Sequence, residues 1–139
     1  MATTTAATTA APTVVLASSS PYRRALLARL LPRFEVISPA VDESPIPGED
    51  PLALATRLAR AKGVTVARER PAAIVIASDQ VAVCGGHLLG KPGVPEPAVE
   101  QLTVCSGRTL RLLTAVSVLG PGDGGAGLTH VDETLLHFR

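Results

Sequence analysis

The chain has 139 residues, 46% of them apolar but with only two Phe, one Tyr and no Trp, which limits it to one domain whose core is aliphatic. A net charge of +1 gives no electrostatic footprint for a nucleic-acid polymer or an acidic membrane surface, though it is compatible with a local pocket for a small anion. No stretch approaches the roughly 18 consecutive apolar residues of a membrane span, and the Cys84 and Cys105 spacing suits two reduced, buried thiols in the cytoplasm better than a disulfide or a metal pair.

Residues Met1 to Pro12 are almost all Ala and Thr, and are expected to form a disordered tail over 1–12 ahead of a domain at 13–139. Thr13 to Ala17 is a β-branched strand. Ser20 as N-cap and Pro21 at the first helical position then open a helix over Pro21 to Leu31, with Leu26, Leu27 and Leu30 on an apolar face and Pro32 at its end. Arg23 and Arg24 fall in its first turn, where the peptide dipoles and free N–H groups already leave positive charge. That placement points to a bound anion such as phosphate, with Ser18 and Ser19 adding hydroxyl donors; otherwise both arginines face solvent.

Phe34 to Ser38 is a second predicted strand, followed by a Pro-rich loop over 39–50 that presents Asp42 and Glu43. Asp50 and Pro51 open a helix running to about Arg68, with Leu54, Leu58 and Ala61 on its apolar stripe, Lys62 towards its far end and Gly63 as a weak spot. Ala73 to Ala77 is an apolar run of strand length that suits a central strand covered on both faces, and Ser78-Asp79-Gln80 interrupts it where burial should end. Val81 to Cys84, Gly85-Gly86 and His87 to Leu89 read as a hairpin that returns Lys91 towards Asp79. Pro97 to Cys105 is a predicted short helix closed by Gly107, and Thr109 to Leu119 and Leu128 to Phe138 are predicted strands joined by a glycine-rich turn. His87, His130 and His137 lack metal-ligand spacing.

Taken alone, Asp79 could cap a turn, Lys62 and Lys91 could be surface charges, and Glu43 could be a solvated side chain of its loop. Their order along the chain says more. Leu16-Ala17-Ser18-Ser19-Ser20-Pro21-Tyr22-Arg23-Arg24, then Val41-Asp42-Glu43, Ala61-Lys62, Ser78-Asp79-Gln80, Gly90-Lys91-Pro92, and Ser106-Gly107-Arg108 followed by Thr114 together resemble the Maf family of nucleotide pyrophosphatases. The resemblance implies an α/β fold of the Maf/ITPase type, a mixed twisted sheet flanked by helices, with the nucleotide cleft at the end of the first strand and beside Asp79. It implies hydrolysis of a nucleoside triphosphate between the α- and β-phosphates, giving the monophosphate and pyrophosphate. Ser18, Arg23, Arg24, Lys62 and Lys91 would bind phosphate, Asp79 would act as general base, and Glu43 with Asp79 would hold Mg²⁺ or Mn²⁺.

Tyr22 and Gln80 match the subgroup that acts on 7-methyl-GTP rather than on dTTP and UTP. An aromatic face attracts the cationic methylated base by about 0.5 to 2 kcal/mol, and a Gln amide can read a base edge; otherwise Tyr22 packs on its helix and Gln80 faces solvent. The family pattern departs in two places. Ala115 stands where a Gly is usual, and the family continues beyond Phe138-Arg139 with a helix and a further Lys- and Glu-bearing block, so the C-terminal part is expected to be missing. That leaves three expectations open: an enzyme, a catalytically dead fragment that binds nucleotide, or a septum and cell-division regulator, with a homodimer possible in each case.

Overall fold

Buried residues recur at every second position over 75–83 and 113–119, and the pairing of these two stretches organises the computed structural model, which describes residues 12–89, 103, 105–122 and 127–138. The elements in chain order are β1 (Val14–Ala17), α1 (Pro21–Ala28), β2 (Glu35–Ile37), α2 (Pro51–Glu69), β3 (Ile74–Cys84), β4 (His87–Leu89), β5 (Thr109–Leu119) and β6 (Leu128–His137). They form an α/β fold around one mixed six-stranded sheet in the order β2-β1-β3-β5-β6, with β4 folded back onto β3. β1 runs parallel to both β2 and β3, while the β3–β4, β3–β5 and β5–β6 pairs are antiparallel. Residues 1–11 of the expected tail and Lys91 lie outside the described residues, as does most of the helix expected over 97–105. No described helix is long and apolar enough to cross a membrane.

Period two in the strands puts Val15, Ala17, Val75, Ala77, Val81, Val83, Leu113, Ala115, Ser117 and Leu119 on one buried face, and α2 lies across it. Leu54, Leu58, Lys62 and Val66 recur every four residues along α2, with Ala55, Ala59 and Gly63 beside them, so these and not Ala61 form the buried stripe. Asp50 caps the helix by accepting from the amides of Leu52 and Ala53. Gly63 is a requirement of the packing rather than a weak spot: a Cβ there would stand 2.7 Å from Leu119 Cδ1 and 3.4 Å from Ala77 Cβ. Ala115 is fully buried in the apolar cluster formed with Leu54, Leu58 and Val81, so its methyl is accommodated where the family pattern has glycine.

Three further expectations need correction. Ser78-Asp79-Gln80 does not interrupt β3, because the ladder to β5 continues without a break from Val75↔Leu119 to Cys84↔Leu110 and satisfies the backbone through the polar triplet. The Ala73 to Ala77 segment is covered on one face only: Val75 and Ala77 are buried under α2, while Ile74 and Ile76 on the other face are half-buried. Helix α1 stops at Ala28, closed by Arg29 and Leu30 amides turning back to Leu26 and Leu27, and it buries no residue; Leu26 and Leu30 are exposed. The β3–β4 hairpin turns on Gly85 and Gly86, whose φ values of 60° and 80° only glycine adopts without strain. A two-pronged ion pair from Arg70 to Glu35 ties the end of α2 to β2, and holds the Glu35 carboxyl below its ordinary value through the hydrogen bond to Arg70.

Candidate active site

The strand β1 delivers the serine run directly to the start of α1. Ser18 is buried, donates its amide to the Ile37 carbonyl and accepts the Ser20 amide on its hydroxyl at 3.0 Å. The Ser20 hydroxyl in turn accepts the Arg23 amide at 3.3 Å, the expected N-cap. A cleft of about 270 Å³ opens in front of these groups, lined by Ser18, Ser19, Ser20, Arg23, Glu43 and Lys62 among others. The two arginines diverge. Arg23 lines this cleft, whereas Arg24 lines a wider groove of about 1000 Å³ between α1 and β2, together with Phe34 and Val36.

At the floor of the site the sheet and α2 meet through charges. Asp79 sits on the buried face of β3, after Ala77 of one apolar cluster and before Val81 of the other, while Lys62 stands on α2 between Ala59 and Val66 of the same two clusters. Lys62 Nζ donates to Asp79 Oδ1 at 2.8 Å, with side-chain exposures of 8% and 6%, and lies 3.2 Å from Glu43 Oε1. A lysine and an aspartate buried this deeply would each cost several kcal/mol alone, so the pairing is what permits both to sit in the core. Two carboxylates, one buried and one reaching in from the loop, therefore converge on a single ammonium group.

Glu43 belongs to the Pro-rich loop between β2 and α2, and the loop is fastened to α2. Arg57 donates Nε to Glu49 Oε2 at 2.8 Å, Nη2 to Glu49 Oε1 at 3.0 Å and Nη2 to the Ser44 carbonyl at 3.1 Å. The hydrogen bond from Arg57 holds the Glu49 carboxyl below its ordinary value, and the Glu49 carboxylate raises Arg57 in return. Within the loop the Ser44 amide donates to Asp42 Oδ1, and the Ser44 side chain first, then this amide, hold the Asp42 carboxyl below its ordinary value as well.

The predicted site residues thus separate into groups. Ser18, Arg23, Glu43, Lys62 and Asp79 come together at the small cleft or its floor; Arg24 faces the neighbouring groove. Gln80 is on the opposite face of β3 from Asp79 and donates its amide to Thr114 Oγ1 at 3.0 Å, while Tyr22 is 73% exposed. Lys91 is outside the described residues. Among the described residues no three His, Cys, Asp or Glu side chains cluster as a metal site. The reading of Cys84 and Cys105 as reduced buried thiols holds: both are free and buried, and burial, with a hydrogen bond to Cys84, pushes the Cys105 thiol up to about 11.

The sequence reading placed Lys62 only among phosphate ligands and missed its partnership with Asp79; its position four residues after Leu58 and four before Val66 was the signal. Arg57 and Glu49 were missed altogether, since a pairing between a loop and a helix eight residues on has no periodic signature.

Residues 13–139 match the family described as "Maf-like protein". A protein named 7-methyl-GTP pyrophosphatase from Xanthomonas axonopodis pv. citri (strain 306) is 58% identical over 106 residues, covering 76% of this chain and 56% of the relative. One of the same name from Pseudomonas syringae pv. tomato is 50% identical over 124 residues, covering 89% and 64% respectively. The chain therefore spans less than two thirds of the length of the curated relatives it matches. Among solved structures, a nucleoside-triphosphatase described as a dITP/XTP pyrophosphatase from Mycobacterium abscessus aligns with a TM-score of 0.55 at 18% identity, covering 88% of this chain and 71% of that one. A HAM1 protein from Coxiella burnetii aligns with a TM-score of 0.57 at 15% identity over 90% and 72%. At those identities the two structures bear on the fold alone.

Proposed function

The chain belongs to the Maf family, and from that premise we propose that it is a nucleoside triphosphate pyrophosphatase, cleaving between the α- and β-phosphates to release the monophosphate and pyrophosphate. The observation that carries the proposal is the buried Asp79–Lys62 pair beneath a cleft walled by the serine-capped start of α1 and by Arg23. A buried ion pair is weak evidence of stability, since apolar side chains of similar size serve a core as well or better. Facing an anion-receptive helix start, it is instead the arrangement expected where an ordered carboxylate meets a phosphoanhydride.

In this reading the triphosphate lies along the cleft. Ser18, the free amides at the start of α1, Arg23 and Lys62 neutralise and orient the phosphate oxygens, with Arg24 and Lys91 as further candidates. Lys62 engages Oδ1 of Asp79, and the second oxygen, Oδ2, positions the attacking water and takes its proton. Glu43 and Asp79, the two carboxylates that flank the Lys62 ammonium, offer the hard oxygen donors that a divalent ion such as Mg²⁺ prefers and are the residues that would hold one. When bound, such an ion would neutralise phosphate charge and polarise the attacked phosphorus. Because both carboxylates also touch the Lys62 ammonium, a phosphate oxygen arriving at Nζ would relieve the charge crowding that the ion brings.

We assign 7-methyl-GTP as the preferred substrate. Its support is Tyr22 and Gln80, on the residues before Arg23 and after Asp79, and the names of the relatives above. Tyr22 is exposed enough to stack on a cationic base, whereas Gln80, on the face of β3 opposite Asp79 and bonded to Thr114, would read only a base that extends past the strand to that face.

The test is pyrophosphate release by the purified chain with Mn²⁺ or Mg²⁺ on 7-methyl-GTP, GTP, dTTP and UTP, with Asp79→Asn alongside. Selective turnover of the methylated nucleotide, reduced at least ~100-fold by Asp79→Asn, is the expected result. Absence of turnover from a chain shown by circular dichroism to be folded would overturn the enzyme reading, and equal turnover of all four substrates would overturn the substrate assignment alone.

A further inference from the structure

We propose that Arg57 is a positioning residue of the cleft: its guanidinium clamps the β2–α2 loop onto α2 and thereby aims the Glu43 carboxylate at the point where Asp79 also arrives. That point is the Lys62 ammonium, and the inference rests on the reading of the two carboxylates flanking it as ligands of a divalent cation. Arg57 itself touches neither cleft nor carboxylate pair, and none of the motifs that mark the site includes it.

The geometry is specific. Glu43 is 55% exposed and lies in a stretch without helix or strand, so nothing in its own backbone holds it over the cleft. It is suspended between two anchors. On one side Val41 packs against the apolar cluster of Leu54, Leu58 and Val81. On the other, the Ser44 carbonyl, one residue beyond Glu43, accepts from Arg57 Nη2 at 3.1 Å. The same guanidinium grips Glu49 through both oxygens, at 2.8 and 3.0 Å, and Glu49 Oε1 also accepts the Ile46 amide, which closes the far half of the loop. One planar group therefore fastens a backbone carbonyl and a carboxylate together, which a lysine, with a compact ammonium, does not reproduce.

The clamp also sets the site's register. Arg57 and Lys62 both stand on α2, so the loop that carries Glu43 and the lysine that meets it are referred to one rigid element. Loss of the clamp leaves Lys62 and Asp79 in place, since their pairing is made between α2 and β3, and releases only Glu43. Where a supporting group orients a metal-binding side chain, its removal typically weakens metal affinity ~10- to 100-fold.

The experiment measures Mn²⁺ binding to the full chain by the loss of the free-ion electron paramagnetic resonance signal, with thermal unfolding as a check on folding. Arg57→Ala is expected to weaken Mn²⁺ binding roughly tenfold or more, Arg57→Lys to give an intermediate loss, and Glu49→Gln to fall in the same direction with the guanidinium intact. The decisive arm is Glu43→Gln combined with Arg57→Ala. If Arg57 acts through Glu43, the double variant binds no worse than Glu43→Gln alone, because the aimed carboxylate is already gone. Losses that simply add, or Arg57→Ala and Glu49→Gln binding within twofold of the wild type, would overturn the inference while leaving the cation site standing. A wild-type chain that binds no Mn²⁺ would remove the site and the inference together, and Glu43→Gln binding as the wild type does would do so for Glu43's part in it.

Discussion

Lys62 and Asp79 hold opposite charges inside an otherwise aliphatic interface, and each is tolerable only because of the other. Removing one partner strands the other, which costs ~3–5 kcal/mol in buried pairs, whereas replacing both with apolar groups of similar size is close to neutral. Lys62→Met is therefore expected to lower unfolding free energy by about 3 kcal/mol, and Lys62→Met with Asp79→Leu to recover most of it by joining the two apolar clusters on either side. Urea unfolding of the two variants checks this, and a double variant no more stable than Lys62→Met would show that the charges are not coupled. Half of this pair was legible in the sequence. Asp79 stands out because it follows an apolar run of strand length, where a solvent-facing turn or a functional group is needed. Lys62 was hidden by the opposite habit: lysines are ordinarily solvated, and only its four-residue spacing from Leu58 and Val66 places it on the buried stripe. Geometry, not residue type, then decides that both Asp79 and Glu43 meet the Lys62 ammonium.

Along α2, Gly63 lies close against the sheet, where a methyl would meet Leu119 Cδ1 at 2.7 Å, inside any real contact distance. Intrinsic propensity says the reverse, since alanine stabilises a helix interior by ~0.8–1 kcal/mol over glycine. The steric term should win: Leu119 is 1% exposed and has little room to retreat, and overpacking of this kind costs ~1–3 kcal/mol. Gly63→Ala is expected to lower the thermal midpoint in the wild-type chain but to raise it in a Leu119→Ala background, where the contact is gone and only the propensity gain is left; a midpoint that rises in Gly63→Ala alone would mean the helix shifts outward freely. The same helix shows why elements were read better than their environments. Asp50-Pro51 fixes the start of α2 by local chemistry, and β5 follows from the alternation of Leu113, Ala115 and Leu119, both of which are written in adjacent residues. What covers a face is not local. The leucines of α1 have helical spacing, yet Leu26 and Leu30 are exposed, because amphipathicity names an apolar side without supplying a neighbour.

Taken as a whole, the sheet is unevenly supported, and its stability should be graded accordingly. β3 and β5 pair along their full lengths and are overlaid by α2, so opening them exposes the two apolar clusters. β6 pairs with β5 on one side, and among its ten residues only Val131 is even half-buried; Leu128, Leu135 and Leu136 are exposed. α1 buries nothing, yet it carries the N-cap and Arg23 that wall the cleft. Local opening free energy follows burial and contact with neighbours, so hydrogen exchange should be slowest in β3 and β5, faster by roughly tenfold or more in the β5-bonded amides of β6, and fastest in α1. Equal protection in β6 and β3 would refute this gradient. The gradient has a functional direction. The carboxylate and lysine at the floor of the cleft belong to the part expected to be most stable, while the wall made by the α1 N-cap and Arg23 belongs to the part expected to be least stable. A triphosphate that draws the α1 amides and Arg23 onto itself would order the wall by its own charge, and protection of α1 should rise on addition of a non-hydrolysable triphosphate while that of β3 stays unchanged.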